Sequence, residues 1–246
     1  MPAAEAATAV NYVALGDSYS SGLGAGSYIS SSGSCDRSNN AYPEQWAAAH
    51  SPASFVSVAC AGATTSDVNS SQVSALSAST TLVSLTIGGN DAGFSSTMET
   101  CVLESTSSCV SAVSKAESII NGPLLSSLEN TLQIIRTHAP NAKIVLLGYP
   151  ALYDLARSST CIGLSTTDRT ALNGAADQLD TVMGNAAAHG NVTFADVRTQ
   201  FTHHEICDGS SSWLNSVNIL SISSSYHPNA SGQEQGYEPV FASKTG

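Results

Sequence analysis

The stretch NYVALGDSYSSGLGAG, residues 11–26, starts as a buried strand and ends in glycines, serines and one acid. The apolar run at residues 12–15 predicts the strand, and Gly16-Asp17-Ser18 follows it directly. An ordinary strand end needs one turn residue, whereas this one places a hydroxyl beside a carboxylate between flexible glycines. We therefore expect a functional site at this strand end, with Ser18 as a candidate nucleophile.

Short runs rich in Val, Ile and Leu recur along the chain and predict five strands, at residues 12–15, 55–59, 82–87, 143–147 and 192–195. Helix-like segments separate them, at residues 43–50, 66–76, 109–138 and 166–189. Strands that alternate with helices form right-handed crossovers, which give a parallel sheet covered on both faces. The predicted fold class is α/β, a three-layer αβα sandwich around a five-stranded parallel sheet.

The length of 246 residues fits a single domain of this class, which we expect to span residues 1–246. Residues 1–7 have neither the charged start nor the apolar stretch of a signal peptide. We expect them to be a disordered leader remnant on a chain from which any signal peptide has been removed.

The charge of the chain argues against two classes of partner. The net charge is −11, and the eight Lys and Arg residues are scattered singly. Such a surface cannot release phosphate counterions or hold an anionic bilayer, so we expect no nucleic-acid partner. The apolar runs are also too short to span a bilayer, which leaves at most peripheral contact with lipid surfaces.

The cysteines form an even set of six without the C-x-x-C spacing of a zinc or redox site. Disulfides formed in an oxidising, extracellular compartment explain them better. The sequence alone does not choose among the many ways to pair Cys35, Cys60, Cys101, Cys109, Cys161 and Cys207.

A serine nucleophile needs a base, and six histidines compete for that role. Three of them fall at predicted helix C-termini, where a cation suits the helix dipole: His50, His138 and His189. His203 and His204 are adjacent, and no second ligand cluster accompanies them, so we expect no metal site. His227 differs because Pro228 disfavours a helical backbone at the residue before it. We expect the His227 ring to point out of the rim and not along a helix. A plain surface histidine before a helix is the competing interpretation.

Two further strand ends carry groups that suit an oxyanion site. Gly62 follows the second strand and allows close approach of its backbone N–H, and Asn90 follows the third strand with an amide donor. Each is also ordinary turn chemistry when taken alone. Because the carboxyl ends of parallel strands meet at one rim, we expect Ser18, Gly62 and Asn90 to converge there.

Taken together, these blocks resemble the SGNH, or GDSL, hydrolase family. The family's blocks are matched by GDSYSSG at residues 16–22, Gly62 in CAGATT, GGND at residues 88–91 and His227 in SYHPNASGQ. The cysteine placement and HEICDGSSSWLN at residues 204–215 are similar to secreted actinobacterial, Streptomyces-type lipases, esterases and phospholipases of this family.

The resemblance implies a flavodoxin-like fold and a role for each matched residue. Ser18 is the implied nucleophile, His227 the base, and the oxyanion donors are the N–H groups of Ser18 and Gly62 with the Asn90 amide. The implied disulfides are Cys35–Cys60, Cys101–Cys109 and Cys161–Cys207. The implied chemistry needs no metal or organic cofactor.

One departure from the family pattern concerns the histidine. Many members place Asp three residues before it, but this chain has Ser224 there, and no acid lies between Trp213 and His227. Either a distant carboxylate completes a triad, or a backbone carbonyl such as that of Ser225 fixes the imidazole tautomer. We favour the carbonyl and a Ser–His dyad.

The function that follows is a secreted, monomeric serine ester hydrolase that forms an acyl-enzyme on lipid acyl esters, of lipase or phospholipase A1 type. Apolar rim residues are candidates for holding the acyl chain: Leu23, Tyr28, Ile29, Phe94 and Trp213. A carbohydrate esterase that removes acetyl or feruloyl groups is the alternative enzyme. A secreted binding module on a catalytically silent fold is the alternative outside enzymes.

Overall fold

The computed structural model describes residues 9–157, 161, 163–218 and 222–245. The expected leader remnant at residues 1–7 lies outside these residues. Five parallel strands form one sheet in the order β2-β1-β3-β4-β5. Their bounds are Asn11–Ala14 (β1), Ser54–Ser57 (β2), Leu82–Leu85 (β3), Lys143–Leu147 (β4) and Thr193–Ala195 (β5).

The core of the sheet explains its apolar runs. Every residue of β3 is buried, as are the last four of β4, whereas the edge strand β2 alternates exposed and half-buried positions. Strands covered on both faces need apolar side chains throughout, while an edge strand tolerates polar ones. The register places Val13 beside Val56 on one side and beside Val83 on the other.

The helices complete the predicted three layers. They are Ser18–Ser21 (α1), Tyr42–His50 (α2), Thr65–Ser70 (α3), Phe94–Leu103 (α4), Thr106–Ile120 (α5), Leu124–His138 (α6), Thr166–His189 (α7), Arg198–Phe201 (α8) and Glu238–Thr245 (α9), with a π-helical turn at Gly232–Tyr237 before α9. The helices α3, α6, α7 and α5 pack in succession over one face, and α2 packs with α9. The strand order changes direction between β1 and β3. In such folds ligands bind at this switch point, outside the carboxyl ends of the strands.

The helix predicted over residues 109–138 is wrong in its extent. It is two helices, α5 and α6, because Asn121-Gly122-Pro123 interrupts the segment, and proline disfavours helical geometry in the residue before it. The segment predicted at residues 66–76 is α3 followed by a 3-10 turn at Gln72–Ala75. The sequence interpretation missed α4, whose polar first turns hide its apolar face.

Three disulfides fix loops around this framework. Cys35 is bonded to Cys60, Cys101 to Cys109 and Cys161 to Cys207, the pairing that the family resemblance implies. The second of these ties α4 to α5, and the third ties the segment before α7 to the long connection after α8. Among the described residues, no helix is both long enough and apolar enough to cross a bilayer.

Candidate active site

The loop after β1 holds Ser18 at the start of the short helix α1. Gly16 makes the turn with a φ of +116°, and a side chain there would lie 2.4 Å from the Thr86 carbonyl oxygen. The buried Gln72 amide grips Gly16 by both backbone groups, accepting from its N–H over 2.7 Å and donating to its carbonyl over 2.9 Å. Ser18 is therefore presented by a backbone turn that only glycine fits.

Asp17 caps α1 and is almost wholly buried. Its Oδ1 accepts from the Tyr19 N–H over 3.0 Å and from the Thr86 hydroxyl over 2.6 Å, while Oδ2 accepts from the Tyr149 hydroxyl. Burial raises the pKa of Asp17 to about 6, although these hydrogen bonds act against the rise. The sequence interpretation gave this residue a loop-organising role, and its contacts agree with that role.

His227 reaches Ser18 from the far end of the chain. Its Nε2 lies 2.7 Å from Ser18 Oγ, and its Nδ1 lies 2.9 Å from the carbonyl oxygen of Ser225. Tyr226, directly before it, has a φ of +67°, a strained conformation for a residue with a side chain. Its carbonyl oxygen accepts from the Tyr19 hydroxyl over 2.7 Å, which anchors this turn to α1.

The electrostatics of His227 suit a neutral base. Burial lowers its pKa to about 4, while the backbone carbonyls of Ser225 and Ser223 act in the opposite direction. A carbonyl accepts a hydrogen bond from Nδ1–H, which leaves the free lone pair on Nε2, facing the Ser18 hydroxyl. Among the described residues, the contact at Nδ1 is this carbonyl and not a carboxylate.

Three groups on the loops after β1, β2 and β3 each keep an N–H hydrogen without an acceptor among the described residues. Within the described residues, the backbone N–H groups of Ser18 and Gly62 make no hydrogen bond, and Gly62 has a φ of +80°. The Asn90 amide donates one of its two hydrogens to the Ala63 carbonyl over 3.0 Å and retains the other. These are the three groups that the resemblance assigns to the oxyanion site.

The loops that carry Gly62 and Asn90 are tied together. Asp91 accepts hydrogen bonds from the backbone N–H and the hydroxyl of Thr65, so the loop after β3 is held against the start of α3. Together with the Asn90–Ala63 bond, these contacts make the two loops one unit. Asp91 thereby has the loop-organising role expected from the sequence.

An apolar cavity begins at Ser18 and runs between the strand ends and the helices α5 and α7. Asp17, Ser18 and Asn90 line it at the strand ends, and its walls include Ala116, Ile120, Leu172, Ala175 and Leu179. An unbranched hydrocarbon chain matches such a lining, because there are few polar groups along the walls to lose their hydrogen bonds.

Of the five apolar rim residues predicted to hold an acyl chain, Phe94 lines this cavity and the other four do not. Trp213 instead stacks on the His204 ring at 3.6 Å and packs edge-on against Phe201. Leu23 is buried, and the Tyr28 hydroxyl oxygen accepts a hydrogen bond from the Gly24 N–H. Rim position alone does not tell which way a side chain points, and contact of these four with an acyl chain stays a prediction.

Four other histidines have positions that a structural role explains. The helices α2, α6 and α7 end at His50, His138 and His189, as expected. His204 is held by Trp213 and by the Ser211 carbonyl. In the described ranges, no group of three or more His, Cys, Asp or Glu side chains could hold a metal ion.

The sequence did not reveal the buried residues that hydrogen-bond to the loop of Ser18 or line the cavity. Gln72 lies in a 3-10 turn, and nothing in its local sequence indicates that it grips Gly16. Tyr149 follows β4, and the glycine before it was the one available signal, since it marks another strand end at the same rim. The small residues Ala116 and Ala175 line the cavity only because α5 packs on α7.

The chain resembles known proteins over nearly its whole length. The model of the GDSL-like Lipase/Acylhydrolase family matches residues 14–235. Lipase 1 of Streptomyces coelicolor is 57% identical over 239 residues, which cover 97% of this chain and 88% of that protein.

Two solved structures share the fold closely. Phospholipase A1 from Streptomyces albidoflavus is 52% identical with a TM-score of 0.93, over 96% of this chain and 100% of that chain. The extracellular lipase from Streptomyces rimosus is 48% identical with a TM-score of 0.92, over the same shares. The family match and these identities lead to one conclusion: the chain belongs to the GDSL-like lipase/acylhydrolase family of ester hydrolases.

Proposed function

We propose that this protein is a secreted hydrolase of lipid acyl esters that acts through Ser18 and His227 and an acyl-enzyme intermediate. The observation that carries the proposal is the apolar cavity that opens beside the Ser18 hydroxyl. A hydrolase whose nucleophile lines such a cavity places the carbonyl of a bound acyl chain next to the attacking oxygen.

The first half of the reaction transfers the acyl group to the enzyme. His227 Nε2 takes the Ser18 proton as Oγ attacks the ester carbonyl, and the Ser225 carbonyl holds the imidazole in the required tautomer. The backbone N–H groups of Ser18 and Gly62 and the Asn90 amide donate to the carbonyl oxygen as negative charge develops on it. The imidazolium then gives its proton to the departing alcohol.

The second half releases the acid. Water replaces the alcohol, His227 takes one of its protons, and the oxygen attacks the acyl-Ser18 carbonyl. The bond between the acyl carbon and Oγ then breaks, the imidazolium returns its proton to Oγ, and the free acid leaves. Among the described residues the contact of Nδ1 is the Ser225 carbonyl and not a carboxylate, so the imidazolium pairs with the oxyanion. The attraction between oxyanion and imidazolium stabilises protonated His227 only while the tetrahedral intermediate exists. This is the stage of the reaction at which His227 must hold the proton.

The cavity lining favours lipid esters over the sugar esters of the alternative function. An acetyl or feruloyl esterase needs polar partners for sugar hydroxyls, whereas the walls contributed by α5 and α7 are Ala, Ile and Leu side chains. The names of the relatives point the same way, since they describe lipases and a phospholipase A1. We assign no metal or organic cofactor to the reaction.

Secretion and the partners of the protein belong to the same proposal. Three disulfides suit an oxidising compartment, and the relative from Streptomyces rimosus is described as extracellular. We infer that the protein works outside the cell on lipid aggregates and contacts them peripherally. The single domain over residues 1–246 and the monomeric state remain predictions from the sequence.

A phospholipid with two different acyl chains tests the proposal. Purified protein and its Ser18→Ala variant are incubated with mixed micelles of 1-palmitoyl-2-oleoyl-phosphatidylcholine, and released fatty acids are identified by mass spectrometry. We expect palmitate from the wild type and a loss of about 10⁴-fold or more in Ser18→Ala, whose thermal unfolding serves as the folding control. Release of acetate or ferulate from plant cell-wall esters without release of fatty acid would replace the lipid assignment with the carbohydrate one.

A further inference from the structure

A buried tyrosine in the loop after β4 lies between the loops after β1 and β3. The Tyr149 hydroxyl donates to Asp17 Oδ2, and the Gly89 N–H donates to the Tyr149 hydroxyl oxygen over 3.3 Å. The contact is close, since a Cβ added to Gly89 would lie 3.4 Å from that oxygen. One phenol therefore joins the residue before Ser18 to the residue before Asn90.

The position of this phenol is set from the protein interior. The Tyr149 N–H donates to Asp180 Oδ1 over 2.8 Å, and the Gly148 carbonyl accepts from the Tyr237 hydroxyl over 2.8 Å. The Tyr19 ring packs edge-on against the Tyr149 ring at 5.0 Å between centroids. These contacts hold the backbone of Tyr149 and one edge of its ring before any substrate arrives.

We propose that Tyr149 is a positioning residue that sets the distance between the Ser18 hydroxyl and the Asn90 amide. The inference rests on the proposed function, because it concerns the geometry of the oxyanion site. Asp17 Oδ1 keeps its own bonds to Tyr19 and Thr86, so loss of the phenol hydroxyl leaves the cap of α1 in place. What is lost is the link to Gly89 and hence to the donor beside it.

The expected effect of Tyr149→Phe is on the rate of the chemical steps. A small displacement of Asn90 weakens an interaction that is made in the transition state and leaves substrate binding almost as it was. We expect kcat on p-nitrophenyl butyrate to fall about 10- to 100-fold, with KM unchanged within about twofold. Tyr149 also lines the cavity, so a rise in KM at constant kcat would show that it is merely a wall and would overturn the proposal.

Tyr12→Phe is the matched control. Tyr12 is a buried tyrosine whose hydroxyl bonds to the Ser84 hydroxyl over 2.6 Å, in a cluster with Trp46, Phe55 and Phe241. Both variants lose one buried phenol hydrogen bond, so we expect similar decreases in Tm, but Tyr12→Phe should keep the wild-type kcat. An equal fall of kcat in both variants would make the effect of Tyr149 one of general stability.

The pH dependence supplies a readout that a structural role would not move. Protonation of Asp17 replaces the charge-assisted hydrogen bond from the Tyr149 hydroxyl to the carboxylate with a weaker neutral one, so it weakens the same link that the substitution removes. The other groups that face Asp17 are the Asp91 carboxylate, whose charge raises the Asp17 pKa, and the phenols of Tyr19, Tyr42 and Tyr237, whose own pKa values are raised.

Those phenols stay uncharged in the range of the experiment, and burial raises the pKa of Asp17 to about 6. The ratio of wild-type kcat to Tyr149→Phe kcat should therefore be largest near pH 8 and shrink as the pH falls below about 6. A ratio that is the same at every pH would contradict the link through Asp17.

A second variant keeps the test decisive if Tyr149→Phe does not fold. Asp17→Asn retains the Oδ1 acceptor for Tyr19 and Thr86 and replaces the charged acceptor of the phenol with a neutral amide, so its kcat should also fall with KM unchanged. In the double variant the two losses should not multiply, because they act on one bond. Absence of turnover in the wild type would refute the proposed function, whereas an active wild type with an equally active Tyr149→Phe would refute this inference alone.

Discussion

The substitution Ala175→Leu tests whether the cavity beside Ser18 holds the acyl chain. Ala175 lies on α7 and forms part of the cavity wall. Leucine adds three carbon atoms there, which displace about three methylenes of a chain that fills the cavity. At about 0.8 kcal/mol for each buried methylene, the variant loses about 2.4 kcal/mol of binding toward a long chain. That energy corresponds to about 50-fold in kcat/KM.

The assay compares p-nitrophenyl palmitate with p-nitrophenyl butyrate in the same detergent. The ratio of their kcat/KM values should fall about 50-fold in Ala175→Leu, while butyrate turnover stays near that of the wild type. Ala171→Leu, one turn earlier on α7 and packed against the core instead of the cavity, is the matched control. An unchanged ratio in Ala175→Leu, or an equal change in Ala171→Leu, would refute the assignment of the cavity to the acyl chain.

Two further predictions concern stability. Gln72→Leu leaves the buried Gly16 N–H without its acceptor, so unfolding in urea should show a loss of about 1–3 kcal/mol. The exposed Gln200→Leu should cost less than about 0.5 kcal/mol, and equal losses would show that the grip on Gly16 is unimportant. Burial raises the pKa of Asp180 to about 8, with Arg198 acting against the rise, so the folded protein loses stability as the pH increases from about 4 to about 8. Asp180→Asn keeps the acceptor for the Tyr149 N–H, so its Tm should exceed that of the wild type at alkaline pH and vary less with pH; parallel Tm curves would contradict this.

The sequence was sufficient for the sheet and for the residues at its rim. Buried parallel strands must be apolar throughout, which makes their runs visible, and β4 at Lys143–Leu147 has the predicted bounds. The groups at the strand ends could be predicted because Ser18, Gly62 and Asn90 each follow a predicted strand, and parallel strands end at one edge of the sheet. The resemblance was enough to predict that His227 lies beside Ser18. The distance of 2.7 Å between Nε2 and Oγ came only from the structure.

The features that could not be predicted from the sequence depend on packing between elements that are distant along the chain. The cavity exists because α5 lies on α7 with small residues at the contact, and no local pattern separates such alanines from ordinary core residues. Tyr149 acquires its partners only once β4 lies beside β3, which places the loop after β4 next to Gly89. Trp213 reads as a rim residue in sequence, yet its ring is taken up by His204.

The central claim is that the Ser18 hydroxyl is activated by His227, and covalent labelling tests it most directly. The protein is treated with a long-chain alkyl p-nitrophenyl phosphonate, and the modified residue is located by intact-mass measurement and peptide mapping. The account predicts one adduct per chain, on Ser18, with labelling slowed by several orders of magnitude in His227→Ala. A wild-type protein that stays unlabelled, or one that carries the adduct on another serine, would contradict it.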